Sequence, residues 1–282
     1  MLDAIERIEI HIRSVIAHEL GELNPLAYKQ EKFINPKNLK TFEQKRDGAT
    51  KTRNDWKEWS DAHERTVERS QEECITWHKS NHKEIPFWVV VEAWDFGTLS
   101  KYFKMLNGTH QNKICKRLNI SNPKNLENWL REINTLRNRC AHHARIWNRS
   151  HNPLKITGEQ DVNLVNLGES ARTRIYGLIV IIWFLIKKIG PSSDWLNNVA
   201  DLIDEKPNLP GCSYSAMGFP DEYGFPRKLF GLPNKNIVIN LGFSEKRHIY
   251  SLVTQYINRN NLMKKRLFSV LALMLSKFSK LR

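Results

Sequence analysis

Residues 122–149 read NPKNLENWLREINTLRNRCAHHARIWNR, and this stretch is the clearest guide to the fold. Asn122 followed by Pro123 is typical of a helix start, because asparagine caps free amide groups and proline suits the first helical position. Apolar side chains then recur at helical spacing as far as Leu136. The stretch predicts a long amphipathic helix that leads directly into residues 136–149, called the basic motif below.

The basic motif gathers four arginines, two histidines, two asparagines and a tryptophan within fourteen residues. Arginine binds phosphate oxygens through paired hydrogen bonds and keeps its charge. Histidine gives and takes protons near neutral pH. RNA can be cut without a metal if the 2′-hydroxyl attacks the neighbouring phosphate, which requires proton transfer and neutralisation of the added charge. We therefore predict that the basic motif is the active site of an RNA-cleaving protein.

The spacing inside the basic motif restricts which side chains can meet. Arg137 and His142 are five residues apart, which separates them by about 140° around an ideal helix, so they would need a kink or a second copy of the chain. Asn138 and His142 are four residues apart and can touch, so Asn138 could orient the imidazole or bind the phosphate. The plainer alternative is a solvated helix face. Residues expected to bind the flanking RNA are Arg139, His143, Arg145, Asn148 and Arg149.

The rest of the chain favours an all-α fold, because helix formers are common and alternating strand patterns are scarce. Residues 1–20 carry isoleucine and valine on one face at helical spacing, and Gly21 is a natural stop. The most apolar run, residues 175–186, lies in a helix predicted over residues 170–189. It is shorter than the ~20 residues that cross a bilayer, so we predict a buried core helix.

Local signals predict the remaining elements less directly. We expect a short helix from residue 35 to about residue 48, a long charged helix over residues 51–82, and a helix capped by Thr98. Residues 150–168 are polar and predict a surface loop. Residues 206–235 are rich in proline and glycine and predict an irregular segment.

The 282-residue chain contains 44 lysines and arginines against 30 acidic residues, a formal net charge of +14. Such a charge attracts polyanions, so nucleic acid is the first partner to consider, although charge alone does not separate RNA, DNA and an anionic membrane surface. The basic residues continue into the C-terminal stretch, where a basic amphipathic helix could lie on RNA, on a membrane, on a partner or on the core.

Neither a cofactor nor an export signal is predicted. The four cysteines form no Cys-x-x-Cys pair, and the N-terminus lacks the basic and apolar regions of a signal peptide, which favours the cytoplasm. His78 and His82 have the i, i+4 spacing of two zinc ligands on a helix, but no third ligand is evident nearby, so we interpret the spacing as chance.

The basic motif resembles the signature of the Abi-like proteins, an AbiD/AbiF-type abortive-infection family of bacteria within the HEPN superfamily. Arg137, Asn138 and His142 match its arginine, polar residue and downstream histidine. Residues 4–9 with Arg13, and residues 217–220 (Met-Gly-Phe-Pro), also match. The resemblance covers roughly residues 3–222.

This resemblance implies a HEPN-like helical bundle, metal-independent RNA cleavage at a site shared by two protomers, and anti-phage or toxin-like activity. In that reading Arg137 binds the scissile phosphate, His142 acts as general acid or base, and Asn138 orients it. RNA, a second copy of the chain, and an inhibitory RNA or antitoxin are the expected partners, with no transmembrane segment.

Two departures from the family lead to further expectations. Family members carry more residues ahead of the first helix, and the basic C-terminal stretch has no family counterpart. We expect residues 1–235 to form an Abi-like HEPN helical domain that is short at its N-terminus, and residues 236–282 to form a basic helical extension. The alternatives are a non-catalytic RNA-binding protein and a truncated, inactive family member.

Overall fold

The computed structural model describes residues 1–46, 49–207, 209 and 212–233, and within them the protein is almost wholly helical. The helices are α1 (Leu2–Gly21), α2 (Pro36–Leu39), α3 (Asp55–Arg69), α4 (Glu73–Ser80), α5 (Phe87–Val90), α6 (Phe96–Met105), α7 (Gly108–Arg117), α8 (Pro123–Ala141), α9 (Val162–Val165), α10 (Ile175–Ile189) and α11 (Trp195–Asp204). Two strands, β1 (Phe42–Arg46) and β2 (Ala49–Arg53), form the one sheet in this part of the chain. The all-α prediction is confirmed. The extension predicted for residues 236–282 lies outside the described residues.

Helices α1 and α10 pack together at the centre of the core, as their apolar patterns predict. The isoleucines and valine on the predicted face of α1 are buried. Helix α10 is buried on almost every side, with only Trp183 partly exposed between Ile175 and Ile186. Such a helix needs neighbours all round, and α1, α8 and α9 are among them. Among the described helices, none is both long enough and apolar enough to cross a membrane.

The segment after α1 differs from the prediction, because the expected helix over residues 35–48 is helical only in α2 and continues as the strand β1. Helix α2 ends at Leu39, and the two strands then pair antiparallel, with Phe42 opposite Arg53. The sequence between the strands is Asp-Gly, which strongly favours a two-residue hairpin turn.

The long helix expected over residues 51–82 is also wrong, since β2 occupies its start and the remainder divides into α3 and α4. Ser70 follows α3 in an extended conformation, and its hydroxyl accepts a hydrogen bond from the amide of Glu72 (3.3 Å). This local bond competes with helix continuation. Helix α4 ends at Ser80, and His82 has a φ of 50°, so His78 and His82 do not share a helical face.

Side-chain caps mark the start of several helices. Asn122 accepts a hydrogen bond from the amide of Lys124 (2.9 Å) at the start of α8, as predicted. Helix α6 begins earlier than predicted, because the carboxylate of Asp95 accepts from the amide of Thr98 (2.6 Å). Thr98 is therefore inside the first turn, and its predicted role as the cap is wrong. A carboxylate at this position also interacts favourably with the positive end of the helix dipole.

The surface loop predicted over residues 150–168 is irregular and mostly exposed in its first half, which is bonded along α8, and the prediction is wrong only where α9 occupies Val162–Val165. Within the connecting segment, defined as residues 151–159, the backbone of Lys155 makes two bonds to the helix. Its carbonyl accepts from the indole of Trp129 (2.7 Å), and its amide donates to the side chain of Asn128 (2.9 Å). These bonds join the chain after the basic motif to the helix before it.

Candidate functional site

The basic motif begins inside α8 and continues past its C-terminal end. The helix ends at Ala141. Two backbone bonds then close the end of the helix: the amide of Ala144 donates to the carbonyl of Arg139 (2.8 Å), and the amide of His143 donates to the carbonyl of Cys140 (3.1 Å). This pair of bonds is the Schellman arrangement, in which the residue after the cap is left-handed and is usually glycine.

In this protein a histidine occupies that left-handed position, because His143 has a φ of 51°. An L-residue in this conformation is strained by roughly 1–2 kcal/mol. The described non-glycine residues with positive φ are His82, Asn119, His143 and Asn148. Two of these four belong to the basic motif, and backbone strain of this kind concentrates at functional sites.

The three residues predicted to be catalytic lie at this helix end, where His142 follows the last residue of α8, but they are not bonded as a triad. The amide of His142 donates to the backbone carbonyl of Asn138 (3.0 Å). The guanidinium of Arg137 lies 3.5 Å from the side-chain oxygen of Asn138, at the limit of a hydrogen bond. Asn138 and His142 are exposed and Arg137 is half-buried. The described structure contains no hydrogen bond to the imidazole of His142, so its orientation by Asn138 stays a prediction.

The arginines of the basic motif have no acidic partner among the described residues. These four are Arg137, Arg139, Arg145 and Arg149, and none forms an ion pair there. Five arginines elsewhere form ion pairs with carboxylates, namely Arg13, Arg53, Arg117, Arg131 and Arg227, although others such as Arg172 and Arg174 do not in the described structure. An unpaired, accessible guanidinium can bind an added anion without first losing a carboxylate. The electrostatic character of the motif is therefore that of an anion-binding surface.

The fold also brings the two ends of the motif together. Arg139 and Arg149 line one small pocket, and His151 lies beside them. The imidazole of His151 is held between two backbone carbonyls, those of Asn152 (2.8 Å) and Arg174 (3.0 Å). The sequence interpretation did not select His151, although it lies only two residues beyond the motif.

The Met-Gly-Phe-Pro sequence at residues 217–220 contacts the residue that holds the end of the motif. The guanidinium of Arg174 donates to the side chain of Asn148 (3.1 Å), and its carbonyl lies beside His151. Gly218 has a φ of 87°, and a Cβ there would lie 2.7 Å from the Cβ of Arg174. Glycine allows this close approach, so two motifs far apart in sequence form one packed region.

The N-terminal pattern at residues 4–9 with Arg13 has a structural role in this fold. The guanidinium of Arg13 bonds to the carboxylate of Glu9 (2.5 Å) and to the backbone carbonyl of Trp94 (2.8 Å). Both side chains are largely buried. The pair fastens α1 to the chain after α5. Among the described residues, no group of three or more histidine, cysteine or acidic side chains is arranged to hold a metal ion.

Comparison with known proteins adds one match. The model of the Abi-like protein family matches residues 1–148. This is just over half of the 282 residues, and it includes α1, all of α8 and the basic motif as far as Asn148. No curated protein and no solved structure matches the chain.

Proposed function

Because the chain belongs to the Abi-like protein family, named for abortive infection, we propose that it is a metal-independent endoribonuclease of the HEPN type acting in anti-phage defence. One observation carries this proposal. At the end of α8, two exposed histidines lie among four arginines that have no acidic partner in the described structure. Proton transfer and phosphate binding are the two requirements of RNA cleavage by the 2′-hydroxyl.

In the proposed reaction, an imidazole takes the proton of the 2′-hydroxyl, and the 2′-oxygen forms a bond to phosphorus. The bond from phosphorus to the 5′-oxygen breaks, and a protonated imidazole gives that oxygen its proton. The products are a 2′,3′-cyclic phosphate and a 5′-hydroxyl. His142 supplies the imidazole, and Arg137 neutralises the charge that develops on the phosphate oxygens. The nucleophile comes from the RNA itself, so the step requires no metal-bound water.

We propose that the complete site forms between two copies of the chain. Within one copy, the guanidinium of Arg137 lies next to Asn138 and makes no hydrogen bond to His142 among the described residues. Two helix ends placed together would set His142 of one chain beside Arg137 of the other, and the same imidazole would take the proton of the 2′-hydroxyl and then give a proton to the 5′-oxygen. The arginines flanking this site would hold the RNA backbone on either side.

The test is cleavage of a single-stranded RNA by the purified protein in the presence of EDTA. We expect the wild type to cut and His142→Ala to lose about two to four orders of magnitude in rate, as is usual for a general acid or base. His78→Ala is the control, since His78 is a partly exposed histidine that lies away from the motif on α4. An RNA with a deoxyribose at the cleaved position should resist. Equal cutting by wild type and His142→Ala would overturn the proposal.

The shared site is tested by mixing two inactive variants. Arg137→Ala and His142→Ala should each be inactive alone, and mixing them should restore partial activity, because a mixed dimer contains one site with both residues intact. Mixed variants that stay inactive while still dimerising would show that each chain acts alone or that the roles are wrong.

A non-catalytic RNA-binding protein is the second candidate. It is favoured by one observation, the lack of any described hydrogen bond that would orient the imidazole of His142. This function predicts salt-dependent RNA binding that survives His142→Ala, with no cleavage products on a gel.

A further inference from the structure

A second basic surface lies beside α8, before the basic motif is reached. It is a groove of about 490 Å³ between the helix and the connecting segment. Its polar lining consists of Asn128, Arg131, Asn152, Lys155, Thr157 and Arg172. Three of these six side chains are cationic, and this groove is separate from the pocket lined by Arg139 and Arg149.

The cations of the groove keep hydrogen-bond donors that the protein does not use. Lys155 is exposed, and its ammonium has no partner among the described residues. Arg172 donates from its Nε to the carbonyl of Leu167 (3.0 Å), and its two terminal nitrogens have no partner among the described residues. Arg131 likewise uses only its Nε, on Glu132 (2.8 Å). The groove therefore presents unused donors in a form that suits phosphate oxygens.

The carboxylate near the groove does not cancel this charge. Glu132 is buried, with its side chain 2% exposed. It already accepts hydrogen bonds from Arg131 (2.8 Å) and Asn152 (3.0 Å). One negative charge is thus paired below the surface, and the ammonium of Lys155 and the guanidinium of Arg172 remain unopposed.

The groove and the basic motif lie along one stripe of α8. Arg131, Thr135 and Arg139 are spaced four residues apart, so they follow one another on the same side of the helix. Arg131 and Arg139 are about 12 Å apart along the axis at 1.5 Å per residue. A strand bound at the motif and running back along α8 would meet the groove next. Proteins that hold single strands commonly track the backbone with such a basic groove.

We propose that this groove binds the phosphates of single-stranded RNA on one side of the cleaved position. The inference rests on the proposed function, since it takes RNA as the ligand of the basic motif. Lys155 is the residue to test, because its side chain has no structural bond among the described residues, while its backbone bonds to α8 are unaffected by substitution.

The probe is a fluorescent single-stranded RNA whose 2′-hydroxyls are methylated, so that binding is measured without cleavage. Affinity is determined by anisotropy over a series of salt concentrations. We expect Lys155→Gln to weaken binding and to make the slope of log K against log salt less steep by ~0.7, the value for one lost phosphate contact on a single strand. Lys155→Glu should weaken binding further, and Lys155→Arg should restore it. Lys57→Gln, at an exposed lysine on α3, is the control and should change neither quantity.

The outcomes separate this inference from the nuclease assignment. If the wild type binds RNA and Lys155→Gln leaves affinity and slope unchanged, the groove inference is overturned and the proposed function is untouched. If RNA is bound with a slope that depends on Lys155 but is never cut, the groove inference holds and the nuclease fails. An equal effect of Lys57→Gln would indicate a general charge effect and overturn the inference. Wild-type protein that binds no RNA would overturn both.

Discussion

Replacing His143 with glycine should stabilise the protein. His143 follows the cap of α8 with a φ of 51°, where a Cβ is strained by roughly 1–2 kcal/mol. Glycine accepts this conformation, but it loses about 0.5–1 kcal/mol more backbone entropy on folding. The imidazole of His143 is exposed and makes no hydrogen bond among the described residues, so its removal loses no contact there. The relieved strain minus this entropy cost predicts a free energy of unfolding about 0.5–1 kcal/mol higher in His143→Gly than in the wild type.

The assay is urea unfolding followed by circular dichroism, with thermal melts beside it. A gain of 1 kcal/mol should raise Tm by about 2–4 °C in a domain of 150–250 residues. His143→Ala is the matched control, because it removes the imidazole and keeps the strained Cβ, so its stability should stay close to that of the wild type. If His143→Gly proves no more stable than His143→Ala, the left-handed helix end described above is wrong.

The same two variants separate stability from function. If the imidazole contacts RNA, both variants should bind RNA equally weakly, although glycine makes the protein more stable. Opposite effects on stability and binding would indicate that a strained histidine is kept at this position for its chemistry. RNA binding unchanged in both variants would remove His143 from the set of predicted RNA contacts.

Three further predictions concern residues outside the motif. Gly218→Ala adds a Cβ 2.7 Å from the Cβ of Arg174, so the free energy of unfolding should fall by about 1–3 kcal/mol and RNA cleavage should weaken. Burial, with a smaller effect of Lys29, lowers the pKa of His63 from 6.5 to about 4. Above pH 6.5 His63 is neutral in both the folded and the unfolded protein. Between pH 6.5 and 4 it takes up a proton only in the unfolded protein, so the free energy of unfolding measured in urea should fall by up to about 3 kcal/mol over this range. Burial raises the pKa of Cys115 to about 12, so its thiol should react with a disulfide reagent at pH 8 only after unfolding.

Each of these predictions has a control within the chain. Gly168→Ala should be harmless, since a Cβ there meets no atom within 4 Å, and equal damage by both alanines would contradict the close packing of Gly218. His63→Gln should flatten the pH dependence in the stated range, and an unchanged slope would assign it to other groups. The exposed thiol of Cys74 should react in the folded protein, and reaction of Cys115 at the same rate would contradict its burial.

The main helices were predictable because their signals are local. The apolar faces of α1 and α10 and the cap at Asn122 involve residues within a few positions of one another, and all three predictions are confirmed. The hairpin before α3 was missed because its polar strands lack an alternating apolar pattern. The connecting segment was predicted as a surface loop from its polar composition, but its bonds to α8 were not predicted, because a hydrophobic pattern gives no information on polar partners such as Asn128.

The composition of the basic motif, and its place at the end of a long helix, follow from the sequence by itself, because helix period and capping depend on near neighbours. Only the tertiary structure decided which of its charges are free and how its end is held. Arg149 lacks a carboxylate partner among the described residues, and Asn148 is bonded by Arg174, against which Gly218 packs. Those contacts join residues 26 and 44 positions apart, and they exist only after the chain has folded. The sequence of the motif does not determine which distant side chain will contact it.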